Sequence, residues 1–302
     1  MQNKTVATIV VTFNRLALLQ EEIESLRKQT FKDNQIVVIN NGSTDGTLDW
    51  LKEQKDIITV TQGNLGGAGG FNTGMRYAAE NGYEYCWVMD DDVICSPSAL
   101  QELYDGYHKK ENIGFVCSKV SGIDGRPMNT PVVDNRGTNG YGKYYDLIEH
   151  QMIKVKEATF VSVFLSTNII KEIGLPIREF FIWGDDTEYT NRISQKHDSY
   201  LCCKSEVVHK RKIQGGISFD KETDPIRLKN FYYMIRNNSL NNVKYRGGRK
   251  SNILLSGYRE SLFHYFLRGK YKHACILFKA MSAFFSFNPS VEYPDCTKND
   301  KP

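Results

Sequence analysis

The sequence predicts an α/β fold with a mostly parallel central sheet flanked by helices, followed by a basic helical appendage at the C-terminus. Short apolar runs alternate with amphipathic helical patterns through the first hundred residues. A chain of 302 residues with 40% hydrophobic and 25% charged residues is typical of a globular protein that buries a sizeable core. Lysines and arginines concentrate towards the C-terminus, so we expect two surfaces of different charge.

Strands and helices alternate in the first part of the chain. The run Val6–Phe13 is β-branched and almost continuously apolar, as a strand buried on both faces should be. The βαβαβαβ order implies right-handed crossovers and a parallel sheet. The other predicted strands are Gln35–Asn40, Ile57–Thr61 and Tyr85–Met89, and the helices between them carry Leu18, Leu19, Ile23 and Leu26, then Leu48 and Leu51, then Met75, Tyr77 and Ala78.

A glycine-rich stretch, Gly63–Gly70, precedes the third helical pattern. Glycines let the backbone approach a ligand closely or adopt positive φ, and a purely structural loop would have the same composition. The first strand-to-helix turn contains no glycine, so the stretch is not the dinucleotide-binding fingerprint in its usual place. Both interpretations stay open on composition.

The chain is less regular after the fourth strand. Ser98–Tyr107 is predicted as a helix and Gly114–Val120 as a strand, followed by long loops over Ser121–Gly142. Phe160–Ser166 is predicted as a strand. Thr167-Asn168 is expected to cap a short helix that ends near Gly174.

Three consecutive carboxylates, Asp90, Asp91 and Asp92, follow the fourth strand. Like charges this close oppose joint ionisation unless a cation neutralises them. Hard divalent ions take oxygen ligands and keep sites for waters or phosphates, so the cluster predicts Mg²⁺ or Mn²⁺ bridging to a diphosphate. Ligands of parallel sheets bind beyond the carboxyl ends of the strands, which favours a nucleotide-type ligand. The alternative is a solvated acidic turn.

A second acidic cluster follows the aromatic run Phe180–Trp183. Asp185, Asp186 and Glu188 could begin a helix, where the dipole favours negative charge. A carboxylate beside an aromatic platform would equally suit deprotonation of a sugar hydroxyl. Further on, His209 ends a predicted strand; it is either structural or, as a neutral imidazole, able to complete the coordination of Mn²⁺.

Taken in order, these motifs resemble the family 2 inverting glycosyltransferases, which have the Rossmann-like GT-A fold. The resemblance runs from about Val6 to His209. Within that family the stretch Asn64–Phe71 and Trp183-Gly184-Asp185-Asp186 are most similar to the galactofuranosyltransferases, with rhamnosyltransferases close behind. The resemblance to family 2 rests on the motifs Thr12-Phe13-Asn14-Arg15, Asn41-Gly42-Ser43-Thr44-Asp45-Gly46-Thr47, Asp90-x-Asp92 and Trp183-x-Asp185-Asp186-x-Glu188.

The resemblance implies a donor site. Thr12, Arg15 and Asn41 would contact the uridine and ribose, and Asn64 would lie in the donor pocket. Asp91 would sit near the ribose and phosphates. Asn40-Asn41 stands where many members of the family have an acidic residue, so the contact that reads the base is left open.

The resemblance also implies a metal site and an acceptor site. Asp186 would be the general base that removes a proton from the acceptor hydroxyl, with inversion at the anomeric carbon. The metal ligands would be Asp90, Asp92 and His209. The acceptor would be oriented by Trp183, Asp185 and Glu188.

The predicted function is therefore inverting, metal-dependent transfer of a sugar, with galactofuranose from UDP-galactofuranose preferred, to a saccharide or lipid-linked saccharide. The alternatives are a rhamnosyltransferase using dTDP-rhamnose and a non-catalytic nucleotide-sugar-binding scaffold, which would need neither the aspartates nor His209. A nucleotidyltransferase would usually show a basic glycine-rich signature near its N-terminus, and the sequence has none. The lack of a Gln-x-x-Arg-Trp motif argues against a processive synthase.

Residues 221–289 are predicted as a basic helical region after a catalytic domain at 1–220. Between Arg227 and Lys279, twelve Lys or Arg accompany one acid, Glu260, which gives this segment a net charge of +11. Its apolar stripes suit an anionic membrane surface or packing on the main domain, and no motif for nucleic-acid binding accompanies the charge. Residues 290–302 are predicted as a poorly ordered polar tail.

The sequence also bears on location. It has no signal-peptide pattern and no apolar stretch of about 18 residues, and its seven cysteines include no Cys-x-x-Cys pair. These features predict a reduced, cytoplasmic protein without a zinc site. The basic helical region predicts that it is peripheral on the inner face of the membrane. A homo-oligomer is compatible with the sequence.

Overall fold

The computed structural model describes residues 5–136, 143–211, 217–253 and 257–295, which form ten strands and ten α-helices. The strands are β1 Val6–Thr12, β2 Asn34–Asn40, β3 Ile57–Thr61, β4 Tyr85–Asp90, β5 Val93–Cys95, β6 Ile113–Gly122, β7 Val132–Val133, β8 Met152–Glu157, β9 Val163–Ser166 and β10 Asp198–His209. The helices are α1 Leu16–Arg27, α2 Thr47–Glu53, α3 Gly66–Glu80, α4 Ala99–Tyr107, α5 Thr167–Ile173, α6 Asp185–Ser194, α7 Pro225–Tyr245, α8 Lys250–Ile253, α9 Arg259–Leu267 and α10 Tyr271–Ser286.

The strands form one sheet in the order β3-β2-β1-β4-β9-β6-β10-β8-β7, with β5 paired to the end of β10. Strands β1 to β4 are parallel to one another, and β6 is parallel to β10. Among the ten strands, β5, β8 and β9 run against the common direction. The α/β fold and the mostly parallel sheet that the sequence predicts are confirmed.

Helices cover both faces of the sheet. Side chains alternate along a strand, so Val10 and Trp87 pack with α1 and α4, while Ile9 and Val88 pack with α3, α5 and α6. The buried Trp87 indole donates to Ser162 Oγ at 2.9 Å, which satisfies its polar N–H. Burial on both faces explains why β1 is apolar almost without interruption.

The glycine-rich stretch forms the first turns of α3. A Cβ on Gly70 would lie 2.3 Å from a Val11 methyl group, and one on Gly74 would lie 2.2 Å from an Ile9 methyl group. Gly66, at φ +71°, would bring a Cβ within 2.0 Å of the Phe181 carbonyl oxygen. These glycines therefore let α3 lie directly on β1 and on the backbone before α6, and packing accounts for them.

Some elements differ from the sequence-based expectation. Strands β5, β7 and β8 are not predicted, and β7 falls within the stretch expected to be loop, of which residues 137–142 lie outside the described residues. Helix α7 lies within residues 221–289, which are predicted as a helical region without separate bounds for this helix. Ser166, rather than Thr167-Asn168, caps α5, because its hydroxyl accepts from the Asn168 N–H at 3.2 Å. The Thr167 hydroxyl instead donates to the Tyr83 carbonyl at 2.7 Å.

The C-terminal helices pack on the main domain through their inner faces. Phe231 of α7 and Leu277 and Phe284 of α10 form one buried cluster with Ile177 and Phe180. Of the two alternatives for the apolar stripes, a membrane surface or packing on the main domain, packing therefore applies to these inner faces. No helix in the described part of the chain is both long enough and apolar enough to cross a membrane.

The expectation of a free tail after residue 289 is wrong as far as Asp295. The Glu292 carboxylate contacts Arg76 at 2.8 Å and Arg178 at 3.1 Å. Its backbone carbonyl accepts from the Leu175 N–H at 2.8 Å. These contacts hold residues 291–295 against α3, and residues 296–302 lie outside the described residues.

Candidate active site

The turn after β4 brings the first acidic cluster against the end of β10. Strand β5 pairs with β10 so that Val93 lies opposite His209. This register puts Asp92 Oδ1 3.0 Å from His209 Nε2. Ligand atoms of Asp90, Asp92 and His209 all lie within 4.8 Å of one another. The structure thus brings together the three residues that the sequence predicts as metal ligands.

Two observations indicate that this trio fits a metal ion. Asp92 Oδ1 is buried and receives no hydrogen bond of good geometry, so its charge is available to a cation. His209 Nδ1 lies 2.9 Å from Asn129 Oδ1, and an amide oxygen can only accept. Nδ1 of the neutral imidazole therefore carries the proton, and Nε2 keeps its lone pair towards Asp92. Two carboxylates and an imidazole suit Mn²⁺ or Mg²⁺.

Arg15 supplies a positive charge beside the aspartates. Its Nη1 lies 3.1 Å from Asp91 Oδ1 and 2.8 Å from Asp92 Oδ2. Asp91 also accepts from the Thr12 hydroxyl at 2.8 Å. Thr12 and Asp91 are buried, whereas the Arg15 side chain is 49% exposed. The hydroxyl of Thr12 therefore fixes Asp91, and Arg15 is the member of this group that reaches the surface.

The three aspartates titrate differently. Burial, together with the charge of Asp92, raises the pKa of Asp90 to about 7, and burial raises the pKa of Asp91 to about 6. Burial opposes ionisation of Asp92 as well, but His209 and Arg15 bring its pKa below the usual value. Burial lowers the pKa of His209, but the neighbouring carboxylates of Asp92 and Asp90 raise it above its usual value. Protons therefore compete with a cation for this site.

The other predicted donor-site residues are divided between the interior and the surface. The Asn41 amide is buried; it donates to the Gly66 carbonyl at 2.7 Å and accepts from Gln62 at 2.7 Å. Asn64 is exposed and accepts from the Gly66 N–H at 2.9 Å, so it closes a turn directly before α3. Asn41 thus holds the glycine-rich turn in place, and its contact with a nucleoside stays a prediction.

The sequence reasoning missed Phe13, which follows β1 directly. Its side chain is 41% exposed, although it continues an otherwise buried apolar strand. The only signal in the sequence is its position within Thr12-Phe13-Asn14-Arg15, between the buried Thr12 and the charged Arg15. An aromatic face is therefore available at the carboxyl end of β1.

The second acidic cluster begins α6, as expected, and faces the first. Asp185 is buried and Asp186 is half-buried, and Asp186 accepts from the Thr187 N–H at 2.6 Å. Burial raises the pKa of Asp186 to about 6. The pKa of Asp185 is raised well above its usual value by burial and by the charges of Asp186 and Asp90. The two clusters are therefore close enough to interact electrostatically.

Glu188 lies inside the protein. Its carboxylate is fully buried and accepts from Arg192 at 2.9 Å and from the Tyr245 hydroxyl at 2.7 Å. It thereby joins α6 to the end of α7. This placement does not support the expectation that Glu188 contacts the acceptor directly.

Polar residues of α7, which the sequence reasoning missed, hold the loop that carries Trp183. Phe181 and Trp183 have φ of +64° and +61°, in the left-handed region that such residues rarely adopt. The buried Asn237 amide donates to three carbonyls within residues 180–183 at 2.8 to 3.2 Å, and Asn241 donates to the next one at 2.9 Å. These bonds fix the strained loop and half-bury Trp183 beside the acidic cluster.

Comparisons with known proteins show which family this chain belongs to. Residues 7–173, more than half of the chain, match the sequence model of glycosyl transferase family 2. Galactofuranosyltransferase GlfT1 of Mycobacterium tuberculosis is 28% identical over 197 residues, which cover 63% of this chain and 64% of that protein. The low-salt glycan biosynthesis hexosyltransferase Agl10 of Haloferax volcanii is 22% identical over 199 residues, 64% of each chain. The match thus spans just under two thirds of the length of these relatives.

Solved structures share the fold. The crystal structure of GalNAc-T7 with UDP, GalNAc and Mn²⁺ has a TM-score of 0.59 at 16% identity and covers 87% of this chain and 56% of its own. That of Staphylococcus aureus TarS 1–349 in complex with UDP has a TM-score of 0.55 at 16% identity and covers 80% of this chain and 66% of its own. At these identities the likeness concerns the fold.

Proposed function

This chain belongs to glycosyl transferase family 2, and from that premise we propose that it transfers galactofuranose from UDP-galactofuranose to a saccharide or lipid-linked saccharide. The observation that carries the proposal is the meeting of two acidic clusters at one edge of the sheet, Asp90, Asp92 and His209 on one side and Asp185 and Asp186 on the other. The similarity to a galactofuranosyltransferase over 63% of the chain supports the choice of donor sugar.

The first cluster would bind the diphosphate of the donor. Asp90, Asp92 and His209 would hold Mn²⁺ or Mg²⁺, which when bound neutralises negative charge on the diphosphate leaving group. Arg15, half exposed beside them, adds positive charge at the same place. Phe13 offers an exposed ring on which a nucleobase can stack. GalNAc-T7, which shares the fold, was crystallised with UDP and Mn²⁺, in line with this assignment.

The second cluster would act on the acceptor. Asp186 accepts the proton of the acceptor hydroxyl while that oxygen attacks the anomeric carbon opposite the diphosphate. The bond to UDP breaks as the new bond forms, so the configuration inverts. A pKa of about 6 leaves Asp186 ionised at neutral pH yet more basic than an ordinary carboxylate. Burial and the charges of Asp186 and Asp90 raise the pKa of Asp185 well above its usual value, and Trp183 provides an apolar surface for the sugar ring.

A donor panel tests the proposal. Nucleoside diphosphate release is measured from UDP- and dTDP-sugars with Mn²⁺, membrane lipid extract as acceptor and Asp186→Asn as the inactive control. We expect UDP release from UDP-galactofuranose that disappears in the variant. Release from dTDP-rhamnose alone would keep the mechanism and replace the donor. Retained UDP binding without release from any donor would favour the non-catalytic scaffold.

A further inference from the structure

The outer face of α9 and α10 exposes large apolar side chains. Phe266 and Tyr271 are 61% and 63% exposed, and their rings lie 5.5 Å apart, so the two helices share one continuous surface. Tyr271, Phe278 and Phe285 recur every seven residues and form a stripe along α10. We call this surface the docking face, and it consists of Phe263, Phe266, Leu267, Tyr271, Phe278 and Phe285.

The docking face contributes nothing to the buried core. Helix α10 already packs on the main domain through its opposite side, where Leu277, Met281 and Phe284 are buried. Soluble proteins rarely leave so many aromatic residues together in water unless the surface binds a partner. The docking face therefore needs an explanation other than folding.

The charge beside the docking face identifies the partner. Lys272 and Lys279 are exposed and follow Tyr271 and Phe278 directly, so a basic row accompanies the apolar stripe. Arg268, in the turn between the helices, is also exposed. Aromatic side chains edged by lysines match the apolar interior and anionic headgroups of a bilayer surface.

We propose that the docking face binds an anionic lipid bilayer and so brings the enzyme to a lipid-linked acceptor. This inference rests on the proposed function. A second copy of the chain fits less well, because an antiparallel two-fold contact would place the rows of Lys272 and Lys279 side by side, and helices α9 and α10 carry one acid, Glu260, to pair with them. A bilayer satisfies the apolar stripe and the basic row at once.

The position of the docking face suits this role. Helix α10 packs on α7, and Asn237 of α7 holds the loop that carries Trp183. The docking face is therefore separated from Trp183 by about two layers of helix, on the order of 20 Å. A saccharide on a membrane lipid can extend over such a distance.

Vesicle flotation of the full chain tests the proposal. Vesicles of phosphatidylcholine alone are compared with vesicles that also contain phosphatidylglycerol. Phe266→Ser with Phe278→Ser should weaken binding to the anionic vesicles at least about tenfold. Lys272→Gln with Lys279→Gln should weaken it about 30-fold and remove its salt dependence. The matched controls are Ile123→Ser, exposed between β6 and β7, and Lys55→Gln, exposed before β3, and both should bind like the unaltered chain.

Three results would overturn the proposal: no binding of the unaltered chain to anionic vesicles, equal losses in the control variants, or a dimer in solution that Phe266→Ser with Phe278→Ser dissociates. The last result would assign the face to a second copy. UDP release with a water-soluble acceptor should be unchanged in all of these variants. If the unaltered chain released no UDP, this result would count against the proposed function. The vesicle experiment would still test membrane binding independently.

Discussion

The two acidic clusters of the active site have similar compositions but different partners. Asp92 is contacted by Arg15 at 2.8 Å and by His209 at 3.0 Å; burial raises its pKa, but these two neighbours bring it below the usual value. Asp186 is held instead by the N–H and hydroxyl of Thr187, and burial raises its pKa to about 6. These different surroundings support the proposed roles of Asp92 as a metal ligand and of Asp186 as a proton acceptor.

The largest effect is expected at the proton acceptor. Asp186→Asn keeps the size of the side chain but cannot take the proton, so the transfer rate should fall by about 10²- to 10⁴-fold. Initial rates of UDP release with acceptor measure this. The control is Asp49→Asn, an exposed carboxylate paired with Lys52, which should leave the rate unchanged. Loss of UDP binding in Asp186→Asn would argue that the residue belongs to the donor site.

The next effect concerns the orientation of a metal ligand. Asn129→Leu removes the oxygen that accepts from His209 Nδ1, so the imidazole loses its fixed tautomer and Mn²⁺ affinity should fall about 10- to 100-fold. Asn129→Asp retains an acceptor at that place and should preserve most of the affinity. Calorimetric titration of Mn²⁺ into substrate-free protein makes the comparison. Equal affinities in all three proteins would remove Asn129 from the site.

A third change acts on the loop between the clusters. Asn237→Leu removes the amide that donates to three carbonyls of residues 180–183, which should cost about 1–3 kcal/mol of stability. Transfer should fall at least about tenfold, because the loop that carries Trp183 moves away from its position for the acceptor. UDP binding should be retained, because the donor site does not move. Urea unfolding and UDP titration separate the two effects. Asn242→Leu, on the same helix but with a side chain that accepts from Arg246 at 3.3 Å, is the control.

The smallest effect is a pH dependence. The pKa of Asp186 is raised from 3.8 to about 6, so the base is ionised above that pH and protonated below it. At saturating Mn²⁺, kcat/KM should be level above about pH 6 and fall about tenfold per pH unit below it. If kcat/KM began to fall only near pH 4, where an ordinary Asp titrates, the base would not be held in a buried site.

The fold was largely predictable where apolar periodicity reports burial. Strands β1 to β4 are continuous apolar runs because helices cover both faces of the sheet. Helix α7 lies within the predicted helical region 221–289, but its bounds escaped prediction because its buried side includes Arg236, Asn237 and Asn241, whose partners are carbonyls of a distant loop. A hydrophobic pattern cannot report a polar face of this kind. Strand β5 has three residues, too few for any periodicity.

The site was predictable where chemistry is concentrated in short motifs. Asp90, Asp92 and His209 were chosen from sequence and meet within 4.8 Å. Glu188 was chosen from the same kind of motif, yet its carboxylate is buried between Arg192 and Tyr245, residues whose proximity only the fold reveals. Asn129 was not chosen because it lies 80 positions from His209 in the chain. Whether a residue belongs to the site therefore depends on its tertiary contacts, which the residue type alone does not reveal.

The most direct test of the contrast between the clusters is one titration of UDP with Mn²⁺ into the unaltered chain, Asp92→Asn and Asp186→Asn. We predict that Asp92→Asn loses the gain in UDP affinity that Mn²⁺ confers, because a ligand of the metal site is gone. Asp186→Asn should keep this gain, because its carboxylate faces the acceptor. Equal losses in the two variants, or a loss in Asp186→Asn alone, would contradict the division into a metal-binding cluster and a proton-accepting cluster.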